Sequence, residues 1–189
     1  MSPHLGLAAL ALLAACAGTT VRDTQGVRDT EGRPLDPLAG SQARATVLLF
    51  TDTECPIANA YAPEIRRLAA EFAPRGVRFF LVYADPARGA AEVQAHRDAF
   101  GYALPALLDP AHELVARAGA TTTPEAGLFL PTGELVYRGR IDDRFVELGR
   151  ERPAATRRDL RDALVAVLAG KPVNPSHTQA VGCFIADMK

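Results

Sequence analysis

No excess of either charge is present in this sequence. The 21 Lys and Arg residues stand against 22 Asp and Glu, a formal net charge of −1. They are interspersed, so the basic stripe that a nucleic-acid surface needs is missing, and nucleic acid is excluded as an expected partner. Cysteine is scarce as well: Cys16, Cys55 and Cys183 are the only three. No two of them stand in Cys-x-x-Cys or Cys-x3-Cys spacing, which excludes a local dithiol and a clip of adjacent thiolates for a metal. The four histidines do not cluster with one another. The apolar run at residues 5–15 falls short of the ~20 residues that a membrane-spanning helix requires.

What that short run does fit is an export signal. In MSPHLGLAALALLAAC the apolar stretch leads into Ala14, Ala15 and then Cys16, and Leu13-Ala14-Ala15-Cys16 resembles the bacterial lipobox, whose cysteine is acylated after cleavage. The resemblance implies a lipoprotein anchored through Cys16 on the periplasmic side of a bacterial membrane, a compartment that permits disulfides. Plain secretion and a mis-assigned start remain as alternatives, because the leader has no Lys or Arg before its apolar run. With Cys16 lipidated, Cys55 and Cys183 are left as one possible pair. The 189 residues suffice for a single core. The expected organisation is a signal peptide over 1–16, a linker over 17–26, one domain over 27–172, and a tail over 173–189 carrying Cys183.

Near the start of the domain VRDTQG is followed at once by VRDTEG, residues 21–26 and 27–32. Two copies cannot build a solenoid. Either this is a small duplication in a linker, or the second copy opens a β-hairpin at the domain edge through its Asp-x-x-Gly turn. Beyond it, ATVLLF at 45–50 reads as a strand buried on both faces. Ile57, Tyr61, Ile65, Leu68 and Phe72 then make one apolar helix face, with Pro63 kinking that helix or starting its regular part. VRFFLVY at 77–83 is a second buried strand, and residues 90–100 form a helix stopped by Gly101. A short strand at 104–108 and a helix at 111–118 come next. Residues 126–130 and 134–140 form a hairpin about Pro131-Thr132-Gly133. A helix over 153–168 closes the order, ended by Gly170. Alternating units followed by a hairpin predict an α/β protein, a mixed sheet with helices on both faces. The tail beyond Pro172 is read as flexible, although Gly182-Cys183-Phe184-Ile185 is unusually apolar for a terminus.

Cys55 falls between a buried strand and a Pro56-led helix, where unpaired backbone N–H groups favour a thiolate. The same position also suits an inert, packed cysteine. The strand, the Cys-Pro helix start, and Thr123-Pro124 ahead of AGLFLPTGELVYRGR together resemble the thioredoxin-like superfamily, and more closely its redoxin (AhpC/TSA, peroxiredoxin-like) branch. The resemblance covers roughly residues 27–170. It implies the three-layer fold, Cys55 as nucleophile supported by Pro56, and a cis Pro124 after Thr123 beside it. It further implies thiol-disulfide exchange without a cofactor, with a thiol or disulfide protein or a peroxide as partner.

Departures from that family narrow the chemistry. Ala58 stands where Cys-x-x-Cys would have its second sulfur, so no adjacent resolving attack is available. Peroxiredoxins carry Pro-x-x-x-Thr-x-x-Cys, whereas Leu48 and Asp52 occupy those positions here, with Thr51 and Thr53 on either side. Thiol peroxidase is therefore the second activity in order. Cys183 is the remaining candidate for a resolving thiol; a bond to Cys55 would close a loop of more than a hundred residues and contribute about 4 to 5 kcal/mol in the chain-entropy model. Alternatives for Cys183 are a mixed disulfide with another protein or no redox role. Arg140 is a candidate cation near the site, and Glu54 either opposes a thiolate or accepts a proton. From a different class comes a non-catalytic binding module, either a partner-docking domain or a copper- or zinc-delivery domain combining Cys55 and Cys183 with His112 or His177. His96 and His112 otherwise read as helix-surface residues.

Overall fold

A computed structural model describes residues 26–39 and 42–185. The leader, Cys16, nearly all of the first repeat copy and residues 186–189 lie outside the described residues. The elements run β1 (Arg28–Asp29), β2 (Ala45–Thr51), α1 (Pro56–Ala60), α2 (Ala62–Phe72), β3 (Val77–Tyr83), α3 (Ala90–Ala99), β4 (Ala106–Leu108), α4 (Glu113–Ala118), β5 (Thr122–Thr123) and β6 (Glu125–Phe129). They continue with β7 (Leu135–Gly139), β8 (Phe145–Glu147), β9 (Arg150–Glu151), α5 (Asp159–Leu168) and β10 (Cys183–Phe184).

Six strands form one sheet in the order β1-β4-β3-β2-β6-β7. The central trio β2, β3 and β4 is parallel, while β6, β7 and β1 add on antiparallel. This is the mixed α/β sheet that the alternating pattern predicts. Side chains of β2 divide by parity, as successive residues of a strand must. Val47 and Leu49 meet Ile65, Leu68, Phe72, Val93, Leu160 and Leu164 from α2, α3 and α5. Leu48 and Phe50 meet Leu114, Val115 and Ala118 of α4 on the opposite face. Helices thus cover both faces, three layers in all, with α4 sharing its side with Val27, Leu38 and Ile185. Each such fully buried aliphatic or aromatic side chain contributes roughly 1.5–3 kcal/mol.

The repeat resolves in favour of a hairpin: Asp29 N–H bonds to the Arg33 carbonyl and Gly32 N–H to that of Asp29, while β1 caps the sheet edge against β4. Pro63 lies at the start of α2 after a break at Tyr61, so it begins the regular helix. The closing helix starts at Asp159 and not at 153. The Asp143 carboxylate takes the backbone N–H groups of Thr156 and Arg157 at 2.7 and 2.9 Å, satisfying them outside a helix. Likewise α4 begins at Glu113, where Asp109 accepts from the N–H groups of Glu113, Leu114 and Val115.

The largest departure is the tail. Residues expected to be flexible run along the outer edge of β7, where Arg138 N–H bonds to Ser176 O and Thr178 N–H to Arg138 O, both 3.0 Å. They then return as β10, antiparallel to β5, with Cys183 opposite Thr123 and Phe184 opposite Thr122. Polar composition did not prevent docking, because the backbone found partners on the sheet edge. Among the described residues no helix is long and apolar enough to cross a membrane.

Candidate active site: two thiols at the cis-proline loop

Cys55 is the N-cap of α1, and its Sγ accepts from the Ala58 N–H at 3.5 Å. Pro56 follows as the first helical residue, where a missing N–H costs nothing. The Cys55 thiol donates to the Thr123 carbonyl at 3.0 Å, and the Thr123-Pro124 peptide is cis, as the resemblance implies. Cys55 is only 1% exposed.

Cys183 is half-buried beside it. Both cysteines are free thiols; the Cys55 thiol donates to the Thr123 carbonyl, Cys183 pairs with Thr123 across β5 and β10, and both line one cleft. Burial pushes the Cys183 thiol well above its ordinary range, and the neighbouring Cys55 thiol and the charge of Asp52 push it further in the same direction. The Cys183 thiol therefore holds its proton. The approach depends on Gly182. A Cβ there would collide with the Thr123 carbonyl and touch Pro124, so only glycine lets β10 lie this close to the loop. A second thiol from the other end of the chain is thus brought to the loop that faces Cys55.

The sulfurs open onto a cleft of about 280 Å³ that also holds Thr51, Asp52, Glu54, Asp85 and Arg88. Glu54, which is exposed to solvent, pairs with Arg88 at 2.7 Å. Arg88 also meets Asp52 at 3.4 Å, Asp85 at 3.2 Å and Glu92 at 2.9 Å. It is the cation of this cleft, a role the sequence reading gave to Arg140. Arg140 instead holds Asp159 at the start of α5, 2.7 Å away, where the anion also suits the helix N-terminus. Arg88 follows the C-terminal end of β3, next to the corresponding end of β2; the general placement of sites at those ends of parallel strands was the available signal.

The metal set does not assemble. Among the described residues no three His, Cys, Asp or Glu side chains are arranged to hold an ion. His112 Nε2 lies 2.9 Å from the Ala84 carbonyl, and His177 Nε2 accepts from Arg138 at 3.0 Å. Neither joins the thiols.

His96 is also not the surface residue that its helix pattern suggests, since it is buried. Asn59 Nδ2 donates to the Thr53 carbonyl, so its Oδ1 faces His96 Nε2 at 2.7 Å and accepts from it. Nε2 then carries the proton, and the Tyr83 hydroxyl donates to Nδ1 at 2.8 Å. This chain ties α3 to α1 and to the loop before Cys55. Burial lowers the His96 pKa, below the ~6.5 of the unfolded chain. The stabilising contribution of the neutral ring is full above that value and is lost as pH falls from it through the depressed folded value. Denaturant unfolding of the parent from pH 7.5 down to pH 5 should thus show a loss that His96→Gln lacks; parallel profiles would contradict the assignment.

A buried thiol at a strand-to-helix turn, a cis-proline loop against it, and a mixed sheet with helices on both faces define a thioredoxin-like protein. Residues 21–140, well over half the chain, match the AhpC/TSA family, and the chain belongs to that family. Among solved structures it is similar to an uncharacterised conserved protein from Geobacillus kaustophilus, at 27% identity and TM-score 0.73, covering 85% of this chain and 86% of that one. A secreted disulfide oxidoreductase from Mycobacterium tuberculosis matches at 21% identity and TM-score 0.52, over 76% of this chain and 93% of that one. The exposed lipoprotein thioredoxin from Streptococcus pneumoniae matches at 19% and TM-score 0.54, over 76% and 96%. These last two carry the fold alone. No curated protein matches the chain.

Proposed function

We propose that this protein is a thiol-disulfide oxidoreductase in which Cys55 is the nucleophile and Cys183 the resolving thiol. The placement of two free thiols against the same residue, Thr123, at the mouth of one cleft carries the reading. Attack by the Cys55 thiolate on a partner disulfide breaks the S–S bond, forms a mixed disulfide and releases one partner thiol. Cys183 then gives up its proton and attacks the Cys55 sulfur, releasing the second partner thiol and leaving a Cys55–Cys183 disulfide. Two electrons pass to the partner, and the reverse sequence oxidises a partner dithiol. Thr123 and Pro124 hold the nucleophile from the facing loop, and Pro56 starts its helix. The reading places the domain at 27–172, carries over the expectation of export with a lipid on Cys16, and makes thiol or disulfide proteins the partners.

Mild oxidation of the reduced protein tests this directly. Mass spectrometry should find a loss of two hydrogens and a peptide linking Cys55 to Cys183. Oxidation that leaves Cys183 free, or that caps Cys55 alone, would overturn the pairing.

A further inference from the structure

We propose that the cleft over the two sulfurs selects cationic disulfides, those carrying ammonium or guanidinium groups near the S–S bond. This inference names the substrate class for the exchange reaction proposed above and rests on it. Four carboxylates, Asp52, Glu54, Asp85 and Glu92, surround the single guanidinium of Arg88. Arg88 is the more enclosed partner of the two outer carboxylates: its side chain is 15% exposed, against 76% for Glu54 and 42% for Glu92. The rim therefore turns negative charge outward, and a concave, partly desolvated site focuses that field on arriving ligands.

A second observation points into the same space. Thr51, at the end of β2, lines the cleft and is 2% exposed. Its Oγ1 is buried and has no hydrogen-bond partner among the described residues. A buried hydroxyl left without a partner is costly, and an N–H donor entering beside the sulfurs would supply one. The negative field also reaches the reacting atoms, because the charge of Asp52 contributes to holding the proton on Cys183. Exchange itself is unchanged: the cationic disulfide loses its S–S bond to Cys55, its first half leaves as a thiol, and Cys183 releases the second. The cations stay on the substrate and act only in binding and approach.

Three small disulfides of similar size separate charge from chemistry: cystamine, bis(2-hydroxyethyl) disulfide and 3,3′-dithiodipropionate. The rate at which each oxidises the reduced full chain is divided by its rate with free dithiothreitol. At low ionic strength the normalised order should be cationic, neutral, anionic, with cystamine ahead of the dianion by on the order of 10-fold or more. In 0.5 M salt the spread should shrink by severalfold as the field is screened. The double variant Glu54→Gln, Glu92→Gln should lose at least half of the low-salt preference on a logarithmic scale. A Lys-flanked peptide disulfide, compared with its Glu-flanked twin, distinguishes basic protein segments from small diamines as the source. Equal normalised rates, or an unchanged preference in the double variant, overturn the charge selection while exchange at Cys55 stands. Failure of all three disulfides to oxidise the protein overturns the exchange reading and this inference with it.

Discussion

Cys183→Ser should release one product thiol per protein from a disulfide substrate where the parent releases two. The variant keeps Cys55 and its N-cap position, so the first attack proceeds and the reaction stops at the mixed disulfide. Serine puts a hydroxyl in place of the thiol and removes little volume, so docking of β10 survives. What disappears is a second thiol that β10 holds in the same cleft as the sulfur it must attack. Even flexibly tethered groups reach effective concentrations in the millimolar range, and groups held in position exceed this by orders of magnitude. Rescue by millimolar external thiol should consequently be slower than parent resolution by at least about 10²-fold. Counting released thiols in a single turnover, with mass spectrometry of the protein at its end, reads both outcomes. Two thiols at the parent rate would mean that Cys55 works alone.

The burial of Cys55 gives that result a further use. Cys55 is 1% exposed and shares its cleft with Cys183 and Phe184, so in the proposed reaction β10 would serve both as lid and as second nucleophile. Small disulfides can reach the sulfurs through the cleft, whereas a folded protein substrate requires the segment to move aside.

Much of this site was written locally in the sequence. The run at 45–50 is apolar at five of its six positions, with β-branched Thr46 and Val47, a pattern that suits a strand covered on both faces, and β2 is that strand. Cys55-Pro56 after such a strand marks a helix start, because a proline fits its first turn and the cysteine is left as N-cap. What local pattern could not carry was any contact set by distant backbone. Arg140 stands near the hairpin in sequence, yet Asp159 captures it, while Arg88 reaches the cleft only because the loop after β3 folds beside Asp52. His96 sits on a weakly amphipathic helix, and its burial depends on Tyr83 and Asn59 arriving from two other elements. The tail is the clearest case: its Pro, Asn, Ser and Thr content describes a chain without its own core, and says nothing about the unpaired strand edges that receive it.

Gly182→Ala tests that docking most sharply. The added Cβ meets the backbone of Thr123 and the ring of Pro124, neither of which is the yielding end of a flexible side chain. The strand must back away, breaking the Cys183–Thr123 pairing and the bond from Ile185 N–H to the Thr121 carbonyl at 3.1 Å. Ile185, 6% exposed against the second core cluster, leaves with it, and its loss from the core costs about 2 kcal/mol. Cys183 then loses the main causes of its raised pKa, burial and the Cys55 contact, and returns toward the ~8.5 of a free thiol. Its alkylation at pH 8 should rise by about 10-fold or more, with the rate profile shifted to lower pH. Cys55 becomes reactive toward bulky reagents, and formation of the Cys55–Cys183 disulfide slows because the second thiol must first be found. Site-resolved alkylation by mass spectrometry across pH measures all three. A profile for Cys183 that matches the parent would show that the tail is held by something other than this approach, and the resolving role would lose its structural basis.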